Sequence, residues 1–178
     1  MNITAKDVNE LRKKTGAGMM DCKKALQESN GDLEAAIDFL RKKGQKIAAK
    51  RGDRDAKEGL VISKSSGNTG YIICLNCETD FVAKNNDFGN FANTILDLAI
   101  TTSSSNLDDL LNSNYTGSDL SVAEKITEQS GVIGEKIEIS YFERISAEKV
   151  VAYNHPGNQI ASMVGLTADA EYEGKQVA

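Results

Sequence analysis

Few side chains in this sequence could carry reactive chemistry, and their spacing argues against most of it. Cys74 and Cys77 form a C-x-x-C pair, the spacing of a redox dithiol or half of a metal site. Redox pairs of this kind sit at a helix N-terminus, where the dipole lowers a thiol pKa. Here the flanking Tyr71-Ile72-Ile73 reads as a strand, whose side chains alternate faces, so residues three apart point to opposite sides. The spacing therefore predicts inert, buried cysteines. Cys22 completes an odd set with no disulfide-framework pattern, which suits a reducing compartment. His155 is the one histidine, which leaves few ways to build a His-based triad or metal centre. Neither a G-x-x-x-x-G-K-[ST] phosphate loop nor a strand-borne G-x-G-x-x-G occurs. Gly16-Ala17-Gly18 is too short for either role, and Asp108-Asp109 reads as solvated surface. The chain is not expected to be an enzyme: no catalytic residue, no metal ligand and no cofactor site is assigned.

Binding is the chemistry that remains. Arg41-Lys42-Lys43 with Lys46, Lys50 and Arg51 could contact nucleic-acid phosphates. No aromatic residue interleaves these charges for base stacking, however, and Lys or Arg in a last helical turn also complements the dipole. A solvated helix end is the favoured reading, and no direct nucleic-acid partner is expected. The segment Glu78-Thr79-Asp80-Phe81-Val82-Ala83-Lys84-Asn85 is more informative. Phe81-Val82 falls between a strand-like run and a helix-like run, flanked by Asp80 and Lys84. Phe81 could plug the strand–helix corner while Asp80 satisfies backbone amides. Equally, an aromatic on a loop held by a rigid strand makes an anchor for a partner's pocket. Residue chemistry leaves both readings open.

The elements that must position these residues follow from periodicity. Thr4 with Asp7 resembles a capping box with Asp in place of Glu, so a helix starts there and buries Val8 and Leu11. Thr15-Gly16-Ala17-Gly18 breaks it. A second helix is expected from about Met20 to Ser29, with Cys22, Ala25 and Leu26 inward and Asn30-Gly31 as its stop. Asp32 caps a third, with Leu33, Ala36, Ile37 and Leu40 as its stripe, ending at Gly44. Residues 45–55 read as a linker, in part helical. Leu60-Val61-Ile62 and Tyr71 to Cys77 form a hairpin, and Phe88, Phe91, Ala92, Ile95, Leu96 and Ala99 recur at helical spacing. Residues 107–112 and 121–130 are short helices, and Ile137, Ile139 and Tyr141 mark a half-buried strand. Val150 to Tyr153 and Ile160 to Leu166 form a second hairpin on Asn154-His155-Pro156-Gly157, where Pro-Gly suits a type II turn. Beyond Asp169 nothing is expected to cover that hairpin.

These elements predict an α+β fold: a three-helix N-terminal domain followed by antiparallel strands with helices packed on them. The expected divisions are 1–54, a three-helix domain with a basic linker; 55–145, a first α+β core half; and 146–178, the beginning of an incomplete second half. Charge supports separate surfaces: residues 1–54 carry 13 Lys/Arg against 8 Asp/Glu, and the remainder 8 against 18. Tyr71-Ile72-Ile73-Cys74-Leu75 is far too short to cross a bilayer, and the N-terminus lacks a signal-type apolar stretch. A cytoplasmic location and no membrane partner are the expectation.

Two blocks carry a resemblance to the bacterial elongation factor Ts family. They are Leu11-Arg12-Lys13-Lys14-Thr15-Gly16-Ala17-Gly18-Met19-Met20-Asp21-Cys22-Lys23-Lys24-Ala25-Leu26 and Asn76-Cys77-Glu78-Thr79-Asp80-Phe81-Val82-Ala83-Lys84-Asn85. The likeness continues more weakly through Gly131-Val132-Ile133-Gly134-Glu135 and Tyr153-Asn154-His155. It implies a guanine-nucleotide exchange factor that binds elongation factor Tu, with a ubiquitin-associated-like N-terminal domain. Gly16 to Met20 would be that domain's exposed loop, with Arg12, Met19, Met20 and Lys23 docking on a helix of the partner's GTPase domain. Of the adjacent Met19 and Met20, one is expected to point inward. The loop carrying Thr79, Asp80, Phe81 and Val82 would push in near the partner's magnesium and phosphate site. Ile133 and His155 resemble further contact positions. The family continues beyond the point matching Ala178, so the chain is expected to be a fragment or a short form with weakened exchange, and a homodimer is expected only of a full-length form. Two other readings stay open: a ubiquitin-associated-type helical adaptor without exchange activity, and a nucleic-acid binder using residues 41–54.

Overall fold

A computed structural model describes residues 3–178 of the chain. It is α+β, and falls into two compact units: one takes the chain through Asp53 together with Thr127–Glu135, the other Arg54–Ile126 and Lys136–Ala178.

The first unit holds α1 (Ala5–Thr15), α2 (Met19–Glu28), α3 (Leu33–Arg51) and the later part of α7 (Val122–Ile133). At the head of α1, Thr4 N–H donates to Asp7 Oδ2 at 2.8 Å and Asp7 N–H to Thr4 Oγ1 at 3.3 Å. The Asp-for-Glu capping box is therefore real, and the Thr4 amide holds the Asp7 carboxyl below the usual carboxylate range. Gly16 ends α1 at φ +70°, a left-handed backbone that glycine adopts without strain. Val8, Leu11, Ala17, Cys22, Ala25, Leu26 and Ala36 form the core, with Leu33, Ile37, Phe39 and Leu40 packed around it. Burial pushes the Cys22 thiol pKa up, as an inert core cysteine requires.

Gly44 does not end α3, which runs on to Arg51 and absorbs most of the expected linker. The glycine serves a close crossing instead. A Cβ placed on Gly131 of α7 would lie 2.1 Å from Gly44 Cα, so the two backbones meet where Gly131 has no room for a side chain. Glycine inside a helical pattern thus marked close approach, not termination.

In the second unit, β1 (Glu58–Ser66) and β2 (Thr69–Cys77) pair antiparallel in register Glu58↔Cys77 to Ser66↔Thr69. Gly67, at φ +60°, supplies the positive φ that a two-residue hairpin turn needs. β3 (Glu138–Ser146) pairs with the other edge of β2, giving the order β1-β2-β3. α4 (Asp80–Ala83) and α5 (Asn86–Thr102) follow β2 directly, and α6 (Leu107–Asn112) comes next. α5 buries Phe88, Phe91, Ala92, Ile95, Leu96 and Ala99, the expected stripe, against β1 and β2.

β4 (Lys149–Asn154) and β5 (Ala161–Leu166) form a separate antiparallel pair. One of its faces packs on the larger sheet: a Cβ on Gly70 would meet Val150 Cγ1 at 2.5 Å. Asn154 fastens the two, its Oδ1 accepting from Ser63 N–H at 2.7 Å and its Nδ2 donating to Ser63 C=O at 2.9 Å. The other face is not left bare, contrary to expectation. α8 (Glu171–Val177) lies on it, with Gly174 so close that a Cβ would sit 2.7 Å from Val151 Cγ2 and 2.8 Å from Leu166 Cδ1. The packing surface of α8 is a glycine, so no apolar stripe announced the helix. Lys149 Nζ and Lys175 Nζ hold Glu171 at 2.9 and 2.8 Å.

Candidate partner-binding surface

The corner between β2 and α5 is built to hold one aromatic side chain outward. Cys77 is fully buried at the end of β2 and its Sγ donates to Thr79 C=O at 3.2 Å. Glu78 is the bolt: its side chain is 12% exposed, its Oε1 accepts from Lys136 N–H at 2.7 Å, and its Oε2 lies 3.4 Å from Arg54 Nη1. Thr79 then caps the single turn of α4, its Oγ1 accepting from Val82 N–H at 3.5 Å. Asp80 and Lys84 pair across that turn at 2.7 Å, an i,i+4 arrangement on the surface. The Lys84 hydrogen bond holds the Asp80 carboxyl below its ordinary range and raises the Lys84 ammonium. Asn85 Oδ1 accepts from Asp87 N–H at 2.8 Å and starts α5.

On this frame Phe81 is 83% exposed, whereas Phe88, one helix further on, is 1% exposed. Phe81 stands in water and plugs nothing, so the reading of it as the corner plug is overturned; the buried aromatic of the neighbouring helix is Phe88. Val82 is half-buried beside it. Cys74 is half-buried and Cys77 buried, so the C-x-x-C is not wholly interior; Cys74 Sγ donates to Asn76 Oδ1 at 3.3 Å. Among the described residues no His, Cys, Asp and Glu side chains gather in a group that could hold a metal ion. No helix there is long and apolar enough to cross a membrane.

The first unit presents a second candidate surface. Met19 is 54% and Met20 74% exposed. The expectation that one would point inward is corrected: Ala17, two residues earlier, takes the buried position, and both methionines open the exposed start of α2. Lys23 follows one turn on, exposed, and Arg12 is exposed near the end of α1. Ile133 ends α7 in the same unit, half-buried.

His155 belongs to the second unit, exposed in the β4–β5 turn, with its Nδ1 2.9 Å from Tyr153 Oη. Asn158 N–H donates to His155 C=O at 2.9 Å and Gly157 has φ +93°, the signature of the expected type II turn. Asn158 C=O accepts from Val61 N–H at 2.8 Å, tying the turn to β1. An open groove of about 980 Å³ then separates this turn from the α4–α5 corner, lined on one side by Asp80, Lys84 and Asn90 and on the other by Gly157 to Gln159. The structure therefore brings the Asp80 end of α4 and the turn carrying His155 to one groove. Nothing in the sequence reading placed these two segments together. The available signal was Asn86, Asn90 and Asn93, three to four apart on the polar side of α5.

Residues 78–178 match the family model described as Elongation factor TS, a stretch of more than half the chain that starts at Glu78. The chain belongs to the elongation factor Ts family. It is 54% identical over 171 residues to Elongation factor Ts of Christiangramia forsetii, covering 95% of this chain and 61% of that protein. It is 50% identical over 184 residues to Elongation factor Ts of Amoebophilus asiaticus, covering 100% and 66%. Elongation factor Ts of Rhodopirellula baltica is 47% identical over 174 residues, covering 98% and 53%. The likeness to these relatives therefore extends over the N-terminal helices, which precede the residues matched by the family model. The chain spans between about half and two thirds of the length of these relatives.

Proposed function

We propose that this chain is a guanine-nucleotide exchange factor of translation elongation, which binds elongation factor Tu and promotes GDP release by disturbing the partner's magnesium and phosphate site. The observation that carries the reading is Phe81, 83% exposed on a capped turn whose base is bolted by Glu78. A large aromatic left in water on a rigid frame is suited to a partner's apolar pocket, because little order is lost when it docks. Phe81 wedges between partner side chains and shifts the elements that hold the magnesium and the nucleotide's phosphates, with Thr79, Asp80 and Val82 as contacts beside it. Arg12, Met19, Met20 and Lys23 dock on a helix of the GTPase domain from a ubiquitin-associated-like domain, the exposed methionines moulding to an apolar surface. Ile133 and His155 add contacts. The factor works through binding alone, in the cytoplasm, with no cofactor of its own.

The mechanism is a linkage. A protein that binds the nucleotide-free partner more tightly than the GDP-bound one must weaken GDP by the same factor. GTP binding then expels the exchange factor by the same reciprocity. The test is release of a fluorescent GDP from elongation factor Tu with and without this chain. Acceleration is expected; binding without acceleration would instead favour the adaptor reading, and salt-sensitive RNA binding the nucleic-acid reading.

A further inference from the structure

The groove beside α4 has an unusual lining. Asn86, Asn90 and Asn158 reach it with carboxamides that make no hydrogen bond within the described residues, while Asn93 and Gln159 spend only their Nδ2 and Nε2, on Gly89 and Gly59 carbonyls. Free carboxamides present one acceptor and two donors each. An apolar ligand would leave them unsatisfied, and their neutrality gives no reason to select an ion. Their match is another amide: a peptide unit, with one N–H and one C=O.

The chain itself contains the pairing in question. Asn154 holds the Ser63 peptide by both groups at once, accepting at 2.7 Å and donating at 2.9 Å, and so substitutes for a neighbouring strand. The groove offers the same chemistry from two walls, is open to solvent, and at about 980 Å³ has room for several residues of extended chain. Of its charged groups Asp80 is paired with Lys84 at 2.7 Å, and Glu58 remains as a single carboxylate at the edge of the amide lining. One end of the groove is α4 itself, so a segment lying there would be continuous with whatever receives Phe81.

We infer that this groove clasps an extended main-chain segment of the partner GTPase, through the carboxamides of Asn86, Asn90 and Asn158. The inference rests on the docking reading above and adds a second, side-chain-independent grip to it. Backbone recognition of this kind fixes register without demanding particular side chains.

Asn90→Ala combined with Asn158→Gly tests it. Asn90 is exposed on a helix face, and Asn158 sits at φ +54°, where glycine is at ease, so both changes remove a carboxamide without straining the fold. An unchanged thermal midpoint verifies this. Titration against nucleotide-free elongation factor Tu is expected to show about tenfold weaker binding for the double variant and about threefold for Asn90→Ala alone. Hydrogen exchange on the complex is expected to show one contiguous stretch of partner amides protected by the wild-type chain, still protected at saturating Phe81→Ala, and released in the double variant. Wild-type affinity and an unchanged exchange map in the double variant, while Phe81→Ala weakens binding, would overturn the groove and leave the docking reading standing. Unchanged affinity in all variants, or no binding by the wild type, would bring down the docking reading and the groove with it.

Discussion

Replacing Gly131 with alanine tests the packing of the first unit at its tightest point. The added Cβ would lie 2.1 Å from Gly44 Cα, 2.9 Å from Gly44 C and 3.1 Å from Gly44 O, all backbone atoms of a helix interior. Carbon atoms pack at about 3.5–4.0 Å, so α7 and α3 must separate by roughly 1.5 Å, and no flexible side chain can yield in their place. Overpacking of this kind costs about 1–3 kcal/mol, against a gain of about 0.8–1.0 kcal/mol from exchanging a helical glycine for alanine. The net expectation is a loss of up to about 2 kcal/mol. The reverse change is the control: a Cβ on Gly44 would sit 3.4 Å from Gly131 Cα, an ordinary contact, so Gly44→Ala should be neutral or slightly stabilising. Urea unfolding followed by far-ultraviolet circular dichroism reads both, and hydrogen exchange should show faster exchange within 127–135 in Gly131→Ala alone. Equal stability of the two variants, or a more stable Gly131→Ala, would refute the crossing as described.

Two further outcomes follow from charged side chains. Glu78→Ala strips the carboxylate from Lys136 N–H and Arg54 and should cost about 1.5–3 kcal/mol in the same unfolding assay, the range of hydrogen bonds to charged groups; a change below about 0.5 kcal/mol would mean Glu78 is not the bolt of the corner. Glu171 is held down to about 2 by hydrogen bonds from Lys175 and Lys149, well below its ordinary 4.5. A carboxyl depressed in the folded state stabilises above its ordinary pKa and loses that contribution as pH falls through its folded value, so α8 should loosen between about pH 4.5 and 2. Hydrogen exchange of residues 171–177 should report this, and Glu171→Gln should abolish its pH dependence; identical profiles would remove the two lysines as the cause.

Much of the fold was legible because the residues that decide it act locally. Thr4 and Asp7 close a capping box within one turn, Pro156-Gly157 specifies its turn by backbone preference, and the α5 stripe from Phe88 to Ala99 reports burial directly. What was misread depended on contacts distant in sequence. Gly44 looks like a helix stop until Gly131, far along the chain, is found against it. α8 was missed because its inner face is Gly174, and a missing side chain leaves no hydrophobic period. Met19, Met20 and Phe81 posed a different problem. Their side chains are apolar enough for a core, and only the neighbours that fill it, Ala17 and Phe88, reveal that all three stand in water. The amide groove needed two segments, α5 and the β4–β5 turn, whose meeting no local pattern encodes.

The exposed aromatic at the tip of α4 is the centre of the account, and Phe81→Ala examines it alone. Because Phe81 is 83% exposed, its removal should change the chain's unfolding free energy by less than about 0.5 kcal/mol. Truncating an aromatic anchor at an interface typically costs about 2 kcal/mol or more, which corresponds to about thirtyfold or greater loss of affinity. Stopped-flow release of fluorescent GDP from elongation factor Tu should therefore be accelerated by the wild-type chain and at least about tenfold less by Phe81→Ala at equal concentration. Equal acceleration by the two would contradict the account.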